Sequence, residues 1–563
     1  MKTIRRYLIS KTHSPRNLAH QTGLTHPKKK STFVRFLGIG TTIIWASGHL
    51  SCAPAGEAGQ PTSVLFTNAR VLDGSGEAAF TADVAIEDNR ITFVGDANED
   101  AIAMRDTIAL DGLLLTPGFI DMHSHVNLEE EYSRPATEFI TQGITTAVIG
   151  VDGIGTPDLA DLYEQFEAAS IGLNVLSYVG HGNIRQRVLG MDDRAPTEAE
   201  LDEMRALTRK GMEEGAFGIS SGLFYTPGYY AEATEVIELG KVAAEYDAIY
   251  DTHDRDLGGT YKGIGYLNSI REAIQIGSAS SLRVIFSHFN AQGVANYGRA
   301  PEGAALIDSA RTAGLEVTAA QHVYTSSMSS LRAYTIPRWA QAGGPEQMAR
   351  RFQHPDTAQI LNVQTMEMLE IRGGPEKIVF ADPRPEFNGK TLAEVAEQRR
   401  LTVPETVREL IGDGNVWVMT RDLYEVDNTR YLATMPWMMT CTDGVSTMPT
   451  QDITHPRAYG GFPKKIRQFV NEDQAIDLSF AIRSMTGLAA DFLRLPDRGY
   501  VREGMIADIA IIDPNRFTDR ATYEDPLRLS EGVIHLLGNG TFAIQDEVIT
   551  DDRAGKVIRH NSP

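Results

Sequence analysis

Cysteine is scarce in this chain of 563 residues. Only Cys52 and Cys441 are present, which excludes both a disulfide framework and a zinc–thiolate cluster. Cys441 lies two residues before Asp443 without the signature of a paired base, so we interpret it as a packing residue and not as a nucleophile. Metal ligands must therefore come from histidine and carboxylate side chains.

Basic residues are also in deficit. The sequence has 53 lysines and arginines against 74 aspartates and glutamates. Nine basic residues and no acidic ones precede Cys52, which leaves 44 basic against 74 acidic residues in the remainder, a net charge of −30. So acidic a chain repels nucleic acid and anionic lipid. We therefore expect no nucleic-acid partner.

The N-terminus has only a short apolar run. Three lysines at positions 28–30 precede the run from Phe36 to Ser47, which is too short for a comfortable membrane span. A charged segment, a short apolar stretch and a small-residue exit are typical of an export signal, here residues 1–52. Cys52 follows Leu50-Ser51 as in a bacterial lipoprotein cleavage site, although His49 departs from that pattern. We expect export to the periplasm or cell envelope, either as free protein or with a lipid anchor at Cys52 as its contact with the membrane.

The pattern at both ends of the remaining chain predicts β-structure. Short segments of alternating apolar and polar residues, separated by turn residues, fill residues 63–116, and the same pattern recurs in residues 500–563. These two stretches predict one small β-sandwich that is assembled from both termini. The length of the chain and its 42% hydrophobic content allow such a second domain beside a large core.

The middle of the chain, residues 117–499, alternates between apolar runs and helix-like stretches. Eight strand-like runs in mostly βα order predict an α/β fold, a (β/α)₈ TIM-type barrel. The gap between the seventh and eighth runs is too long for one helix, so residues 331–428 or thereabouts are predicted to form a helical insertion. After the run that ends before His123, the other seven strand-like runs are Thr145–Ile149, Asn174–Val179, Ala216–Ser220, Ala248–Tyr250, Arg283–Phe286, Glu316–Ala319 and Trp437–Thr440.

Histidines concentrate at the ends of these runs. Ten histidines follow residue 52, and six of them stand directly after a predicted strand. The carboxyl ends of barrel strands build the active site in this architecture. The strand-end residues are His123 and His125, Asp152, His181, His253, His288, Gln321-His322 and Asp443.

Five of these side chains are candidate metal ligands. In the segment Pro117–His125, His123 and His125 are two residues apart in an extended stretch, so both imidazoles face the same side. Histidine and carboxylate ligands suit a catalytic zinc ion, which activates water and polarises a carbonyl oxygen. We expect one or two zinc ions on His123, His125, Asp152, His253 and His288. Asp443 is predicted to take the proton of the water and pass it to the leaving nitrogen.

Four further side chains are candidates for substrate binding. His181 follows the third strand and either binds the substrate carbonyl or forms a hydrogen bond within the barrel mouth. Tyr225 and Tyr324 are candidates for lining the pocket; the alternative is core packing, which is slightly favoured for Tyr225. Arg457, in the segment His455–Gly460, offers a fork of donors for a carboxylate.

These stretches together resemble the N-acyl-D-amino-acid deacylases (D-aminoacylases), within the metal-dependent amidohydrolase superfamily. The resemblance covers nearly everything after residue 63 and keeps the order of the family. Besides Pro117–His125, the matching segments are Gln142–Gly150, Val179–Gly182, Gly218–Pro227, Tyr250–Arg255, Ser287-His288, Thr442–Gly444, His455–Pro463, Met485–Gly487, Asp497–Gly499 and Arg502–Asp508.

The resemblance implies a zinc enzyme that hydrolyses the amide bond of N-acylated D-amino acids or related small D-residue amides. It implies that His253 and His288 hold the main ion, that His123 and His125 hold a weaker one, and that Asp443 is the catalytic carboxylate. It also implies that Arg457 holds the carboxylate of the substrate.

The chain departs from the family at three places. Asp152 stands where the family usually has cysteine, and Asn290 stands where it often has lysine. Ala320-Gln321-His322-Val323-Tyr324 replaces a segment that tends toward Asp-Gln-Tyr-Pro-Tyr. Carboxylate is a harder ligand than thiolate and grips zinc less tightly. The alternatives are another amidohydrolase reaction, such as that of a dipeptidase or a cyclic-imide hydrolase, and a surface-anchored binding protein without turnover.

Overall fold

The computed structural model describes residues 62–97, 104–382, 384–412, 414, 416–448 and 453–560. Residues from Pro61 onward form one compact unit. Within these ranges no helix has both the length and the apolar character that crossing a bilayer requires. The predicted export signal and Cys52 lie outside the described residues.

Strands from both ends of the chain pair in a single sheet. Its order is β21-β20-β19-β18-β5-β1-β2-β3, with β4 beside β1. Phe66 of β1 nevertheless contacts His535 of β19 and Phe542 of β20, with ring centroids 6.2 and 6.4 Å apart, because the sheet folds back over an apolar core. These strands are β1 (Ser63–Val71), β2 (Phe80–Glu87), β3 (Arg90–Gly95), β4 (Asp106–Ala109), β5 (Leu114–Pro117), β18 (Ile509–Ile512), β19 (Val533–Gly538), β20 (Thr541–Gln545) and β21 (Val548–Ile549).

Eight parallel strand positions form the barrel, and the predicted fold class is confirmed. The third position is divided at Tyr178 into two short strands. The first and eighth positions meet where Met122 donates to the Thr440 carbonyl (3.3 Å) and Asp443 donates to the His123 carbonyl (2.9 Å). In order, the barrel strands are β6 (Phe119–Asp121), β7 (Ile144–Ile149), β8 (Asn174–Ser177) with β9 (Val179–Gly180), β10 (Gly218–Gly222), β11 (Ile249–His253), β12 (Arg283–Phe286), β13 (Val317–Gln321) and β17 (Met438–Thr440).

Alternation along each strand divides the core into two layers. Ile120, Leu176 and Met439 point into the barrel, whereas neighbouring residues such as Phe119 and Val175 pack against the surrounding helices. The helices outside the insertion are α1 (Thr137–Ile140), α2 (Leu159–Ala169), α3 (His181–Leu189), α4 (Glu198–Glu213), α5 (Ala233–Ala244), α6 (Tyr266–Ser280), α7 (Ala300–Thr312), α14 (Val426–Ala433), α15 (Arg457–Lys465), α16 (Leu478–Met485) and α17 (Gly487–Leu493). Short 3₁₀ turns occur at Gly228–Tyr230, Val294–Asn296 and Pro375–Lys377, and a π-helical segment, Ile466–Glu472, follows α15.

The insertion after the seventh strand is mainly helical, as predicted, and it also contains a small sheet that the sequence pattern did not indicate. Three strands of three or four residues form an antiparallel sheet in the order β14-β16-β15, and segments that short give no recognisable period. The helices bury their own apolar cluster, which includes Leu331, Phe380 and Val407. The elements are β14 (Ser327–Ser330), α8 (Leu331–Thr335), α9 (Arg338–Gln341), α10 (Gly344–Gln353), α11 (Pro355–Ile371), β15 (Ile378–Phe380), α12 (Leu392–Arg399), α13 (Val403–Gly412) and β16 (Trp417–Thr420).

Candidate metal centre

The five candidate ligands meet at the carboxyl-terminal mouth of the barrel. His123 and His125 follow β6, Asp152 follows β7, His253 ends β11 and His288 follows β12. Four of the five side chains are buried, and His125 is 19% exposed. Because parallel strands direct all their carboxyl ends to one mouth, residues that are far apart in sequence become neighbours here.

These ligands form two groups that share one carboxylate. His123, His125 and Asp152 form the first group, and Asp152, His253 and His288 form the second, each with its ligand atoms within 4.8 Å of one another. Asp152 Oδ1 lies 3.5 Å from His123 Nε2 and 3.7 Å from His288 Nε2, while its Oδ2 lies 3.5 Å from His125 Nε2. Asp152 is therefore placed to bridge two ions.

The ligand set fits zinc. Buried ring nitrogens of His123, His253 and His288, together with Asp152 Oδ1, have no hydrogen-bond partner. Buried polar atoms are normally satisfied, so the unpartnered His123 Nε2 and Asp152 Oδ1, which face each other at 3.5 Å, indicate a cation site. Imidazole nitrogen and carboxylate oxygen are ligands that zinc accepts at short range.

Three residues of the site have strained backbones. Asp152, His288 and Asp443 have φ values of 55°, 31° and 50°, in the left-handed region that side chains other than glycine seldom adopt. Such strain collects at functional sites, where the surrounding packing holds it.

Electrostatics keep three of the five ligands in the form that binds metal. Burial lowers the pKa of His253 to about 3 and lowers that of His123 well below its usual range. Burial lowers the pKa of His125 and His288 too, but Asp152 and Asp443 outweigh it, so the pKa of His125 is raised to about 10 and that of His288 above its usual value. Burial alone would raise the pKa of Asp152, but the neighbouring histidines, His123 first, hold it well below its ordinary value. Neutral imidazoles beside an ionised carboxylate are ready to coordinate a cation.

Asp443 lies beside both groups and pairs with Arg457. Its Oδ1 is 3.4 Å from His125 Nε2 and 3.8 Å from His123 Nε2, and its Oδ2 forms a buried ion pair with an Arg457 Nη1 nitrogen. Burial raises the pKa of Asp443, but Arg457 first, and then the neighbouring histidines, outweigh it and hold the pKa well below the usual range. Asp443 is therefore an ionised base within reach of the metal groups.

His322 belongs to the site, although it was not among the candidate ligands or substrate residues. Its Nε2 lies 3.9 Å from Asp443 Oδ2 and 3.5 Å from Arg457 Nη1, and its Nδ1 accepts a hydrogen bond from the Tyr324 backbone (3.3 Å). The signal was present in the sequence, since His322 directly follows the seventh strand. Burial, with Arg457 next, lowers its pKa to about 3, so the ring is neutral.

Asp121, at the end of the first barrel strand, supports the metal centre, and no pattern in the sequence indicated this role. Its carboxylate accepts hydrogen bonds from the backbone of His123 (3.3 Å) and from the backbone (2.9 Å) and hydroxyl of Thr442. It thereby joins the first and eighth strands immediately before His123 and Asp443. A buried aspartate inside an apolar strand is indistinguishable in sequence from a turn residue.

The remaining predicted substrate residues have different surroundings. His181 shares a hydrogen bond with Glu235 through Nε2 (2.8 Å), and Glu235 also pairs with Arg185, while Nδ1 of His181 has no hydrogen-bond partner among the described residues. The ring of Tyr225 lies 4.8 Å from the ring of His253, so it borders the metal centre. The Tyr324 hydroxyl donates to the Pro456 carbonyl (3.3 Å), directly before Arg457, so Tyr324 supports that arginine.

Asn290 points away from the site. Its side-chain amide donates to the Thr429 hydroxyl (3.0 Å) and its oxygen accepts from the Ala291 backbone. Asn290 therefore brings no cation to the site, and the cation that contacts Asp443 is the guanidinium of Arg457.

Comparison with known proteins gives the family. A model of the amidohydrolase family (Amidohydro_3) matches residues 106–543. The chain belongs to the amidohydrolase family. It is 28% identical over 522 residues to D-aminoacylase of Alcaligenes xylosoxydans xylosoxydans, a match that spans 89% of this chain and 98% of that protein.

Solved structures agree with this family assignment. A D-aminoacylase studied for one-metal activation and second-metal attenuation at its binuclear metal centre superposes with a TM-score of 0.75 at 26% identity, over 89% of this chain and all of that one. N-acyl-D-glutamate deacylase from Bordetella bronchiseptica, complexed with zinc and a phosphonate mimic of the tetrahedral intermediate, gives 0.74 at 26% identity over 88% and 99%. This amidohydrolase therefore shares its architecture with zinc-binding deacylases.

Proposed function

We propose that this amidohydrolase hydrolyses the amide bond of N-acylated D-amino acids. The observation that carries the proposal is the pair of metal groups that share Asp152, with Asp443 within 4 Å of the first pair of histidines. The similar proteins named for D-aminoacylase and N-acyl-D-glutamate deacylase activity support the substrate class.

The residues divide the chemical work. Zinc held by His123, His125, Asp152, His253 and His288 would supply the Lewis acid that activates water and polarises the amide carbonyl. Asp443, ionised and next to both groups, accepts the proton of the attacking water and delivers it to the leaving nitrogen.

Arg457 links substrate binding to this base. In the free protein its guanidinium pairs with Asp443, and a substrate carboxylate competes for the same donors because arginine binds carboxylates through two parallel bonds. When the substrate carboxylate takes up Arg457, the largest of the charges that lower the pKa of Asp443 is partly neutralised, and Asp443 becomes a stronger base. The substrate thereby improves the catalyst that acts on it.

Purified protein loaded with zinc and supplied with N-acetyl-D- and N-acetyl-L-amino acids tests this proposal through the release of free amine. We expect turnover of D substrates only, loss of activity after chelation, and recovery with zinc. A zinc-loaded protein without turnover of any D substrate would contradict the proposed reaction and favour a binding protein.

We also propose that the chain is exported, with Cys52 as its lipid attachment site. The support is the sequence alone: the basic segment, the apolar run and Leu50-Ser51-Cys52. Fractionation of expressing cells should place the parent protein with the envelope membranes and the Cys52→Ser variant in the soluble exported fraction. If the parent and Cys52→Ser were both found in the cytosol, export would be contradicted. If both were found in the soluble exported fraction, lipidation would be contradicted.

A further inference from the structure

A buried arginine at the boundary of barrel and insertion forms no ion pair with any carboxylate in the described part of the chain. Arg372 follows the last residue of α11 and is 3% exposed. Its Nη1 donates one long hydrogen bond to the Met368 carbonyl (3.3 Å), and its guanidinium lies 4.6 Å from the centre of the Tyr334 ring. Its Nε and Nη2 have no hydrogen-bond partner.

Other buried arginines in the described ranges have at most one side-chain nitrogen without a partner, whereas Arg372 has two. Arg185 and Arg457 each pair with a buried carboxylate. Arg338 has no carboxylate, but it donates to the carbonyls of three residues, Phe224, Ala333 and Ile336. Asp256 is the carboxylate whose charge acts on Arg372, but the two side chains form neither an ion pair nor a hydrogen bond. A buried charge is costly unless it is paired, so the two open donors of Arg372 indicate that an anion binds there.

A short chain of contacts joins Arg372 to the metal centre. Tyr334, beneath the guanidinium, bonds through its hydroxyl to Ser327 (2.6 Å), and Ser329 bonds to the hydroxyl of Tyr225 (3.4 Å). Ser327 and Ser329 lie two residues apart on β14, so both tyrosines contact the same face of that strand. Tyr225 in turn borders His253.

The position of Tyr334 locates the two arginines relative to each other. Burial raises the pKa of its hydroxyl, and the charges of Arg372, Arg457 and Asp443 are all close enough to act on it as well. Tyr334 therefore lies near two guanidinium groups, that of Arg457 beside the catalytic carboxylate and that of Arg372 at the end of α11. Arg372 also borders a loop of the barrel, since its Nη2 would be 3.7 Å from a Cβ atom placed at Gly259.

We propose that Arg372 binds a second carboxylate of the substrate, so that the enzyme selects N-acylated D-amino acids that carry two carboxylates. The inference rests on the proposed deacylase function: Arg457 takes the α-carboxylate, and Arg372 takes the other. The second carboxylate belongs either to an acidic D side chain or to a dicarboxylic acyl group, since both present the same anion to a guanidinium fork.

Matched pairs of substrates separate these sources. N-acetyl-D-glutamate and N-acetyl-D-glutamine differ only in the side-chain charge, and N-succinyl-D-alanine and N-butanoyl-D-alanine differ in the charge of the acyl end. For the zinc-loaded parent we expect kcat/KM to favour the charged member of one pair by at least tenfold. In Arg372→Met that ratio should fall to about one, and Arg372→Lys should keep part of it.

Arg351→Met is the matched control. Arg351 lies on the same insertion but donates to the carbonyls of Ala340 and Ala342, so its replacement should leave both ratios as in the parent. The role of Arg372 would be overturned if the parent showed a charged-to-neutral ratio of kcat/KM near one in both pairs. It would also be overturned if Arg372→Met lowered kcat/KM by the same factor for charged and neutral members.

Equilibrium binding distinguishes this outcome from failure of the proposed reaction. Calorimetry on Asp443→Asn, loaded with zinc, measures N-acetyl-D-glutamate, N-succinyl-D-alanine and their neutral partners without turnover. Tighter binding of one charged member, lost in Asp443→Asn/Arg372→Met, supports Arg372 even where the parent turns over no substrate. Binding that ignores the second charge in both pairs refutes it, whatever the parent hydrolyses.

Discussion

The Asp443→Asn variant tests the centre of the proposed mechanism. The substitution keeps the size of the side chain and removes its ability to accept a proton as a carboxylate. General acid–base catalysis by a positioned side chain contributes about 10²- to 10⁴-fold to the rate, which equals about 3–5 kcal/mol in activation free energy at about 1.36 kcal/mol per decade. We therefore expect kcat to fall by that factor.

Zinc content should survive the substitution. Both metal groups are complete without Asp443, because Asp152 supplies the carboxylate of each. Folding stability should decrease, since Arg457 loses its buried counter-charge, and breaking such a pair costs about 3–5 kcal/mol. The assays are metal analysis of the purified variant, denaturant unfolding, and amine release at saturating substrate.

Asp519→Asn is the matched control for stability. Asp519 is another little-exposed aspartate that pairs with arginine, at 2.7 and 3.1 Å from Arg467, but it contacts neither metal group. The Asp519→Asn variant should be less stable than the parent and should keep the kcat of the parent. If Asp443→Asn hydrolysed substrate like the parent, Asp443 would not be the proton shuttle; if it lost zinc, Asp443 would be a ligand.

Three further substitutions address other parts of the site. Asp152→Asn should reduce zinc binding at both groups, whereas His123→Ala should reduce it at the first group alone. Metal analysis of the purified variants gives the zinc content per chain, and equal losses in the two variants would refute the conclusion that both groups share Asp152. Arg457→Lys should raise KM for an N-acetyl-D-amino acid at least tenfold but hardly change it for the corresponding carboxamide, because lysine lacks the fork; an equal rise for both would contradict the carboxylate contact. Burial raises the pKa of Glu235, but hydrogen bonds from His181 and Arg185 outweigh it and hold the pKa below its usual value. The stabilising contribution of Glu235 is therefore full above about pH 4.3 and is lost as the pH falls through the pKa of the folded state. Urea unfolding between pH 3 and 7 should therefore show a weaker acid-side loss of stability in Glu235→Gln than in the parent, and identical pH profiles would refute this.

The sequence was informative about the barrel because strand periodicity and strand order are local properties. An apolar run followed by histidine recurs along the chain, and the parallel topology brings every such run to one mouth. The candidate ligands could therefore be grouped from the order of the residues alone. The strands of the insertion were missed because three or four residues contain too little periodicity to detect.

Only the tertiary structure decided how these groups are connected. That Asp152 serves two metal groups, that Asp443 pairs with Arg457, and that Asp121 joins two strands all depend on distances between segments that are far apart in sequence. The same holds for Arg372, which in sequence resembles any helix-terminal arginine. Its open donors appear once packing has removed water and has brought no carboxylate to replace it, because burial is a property of the whole fold and not of the residue.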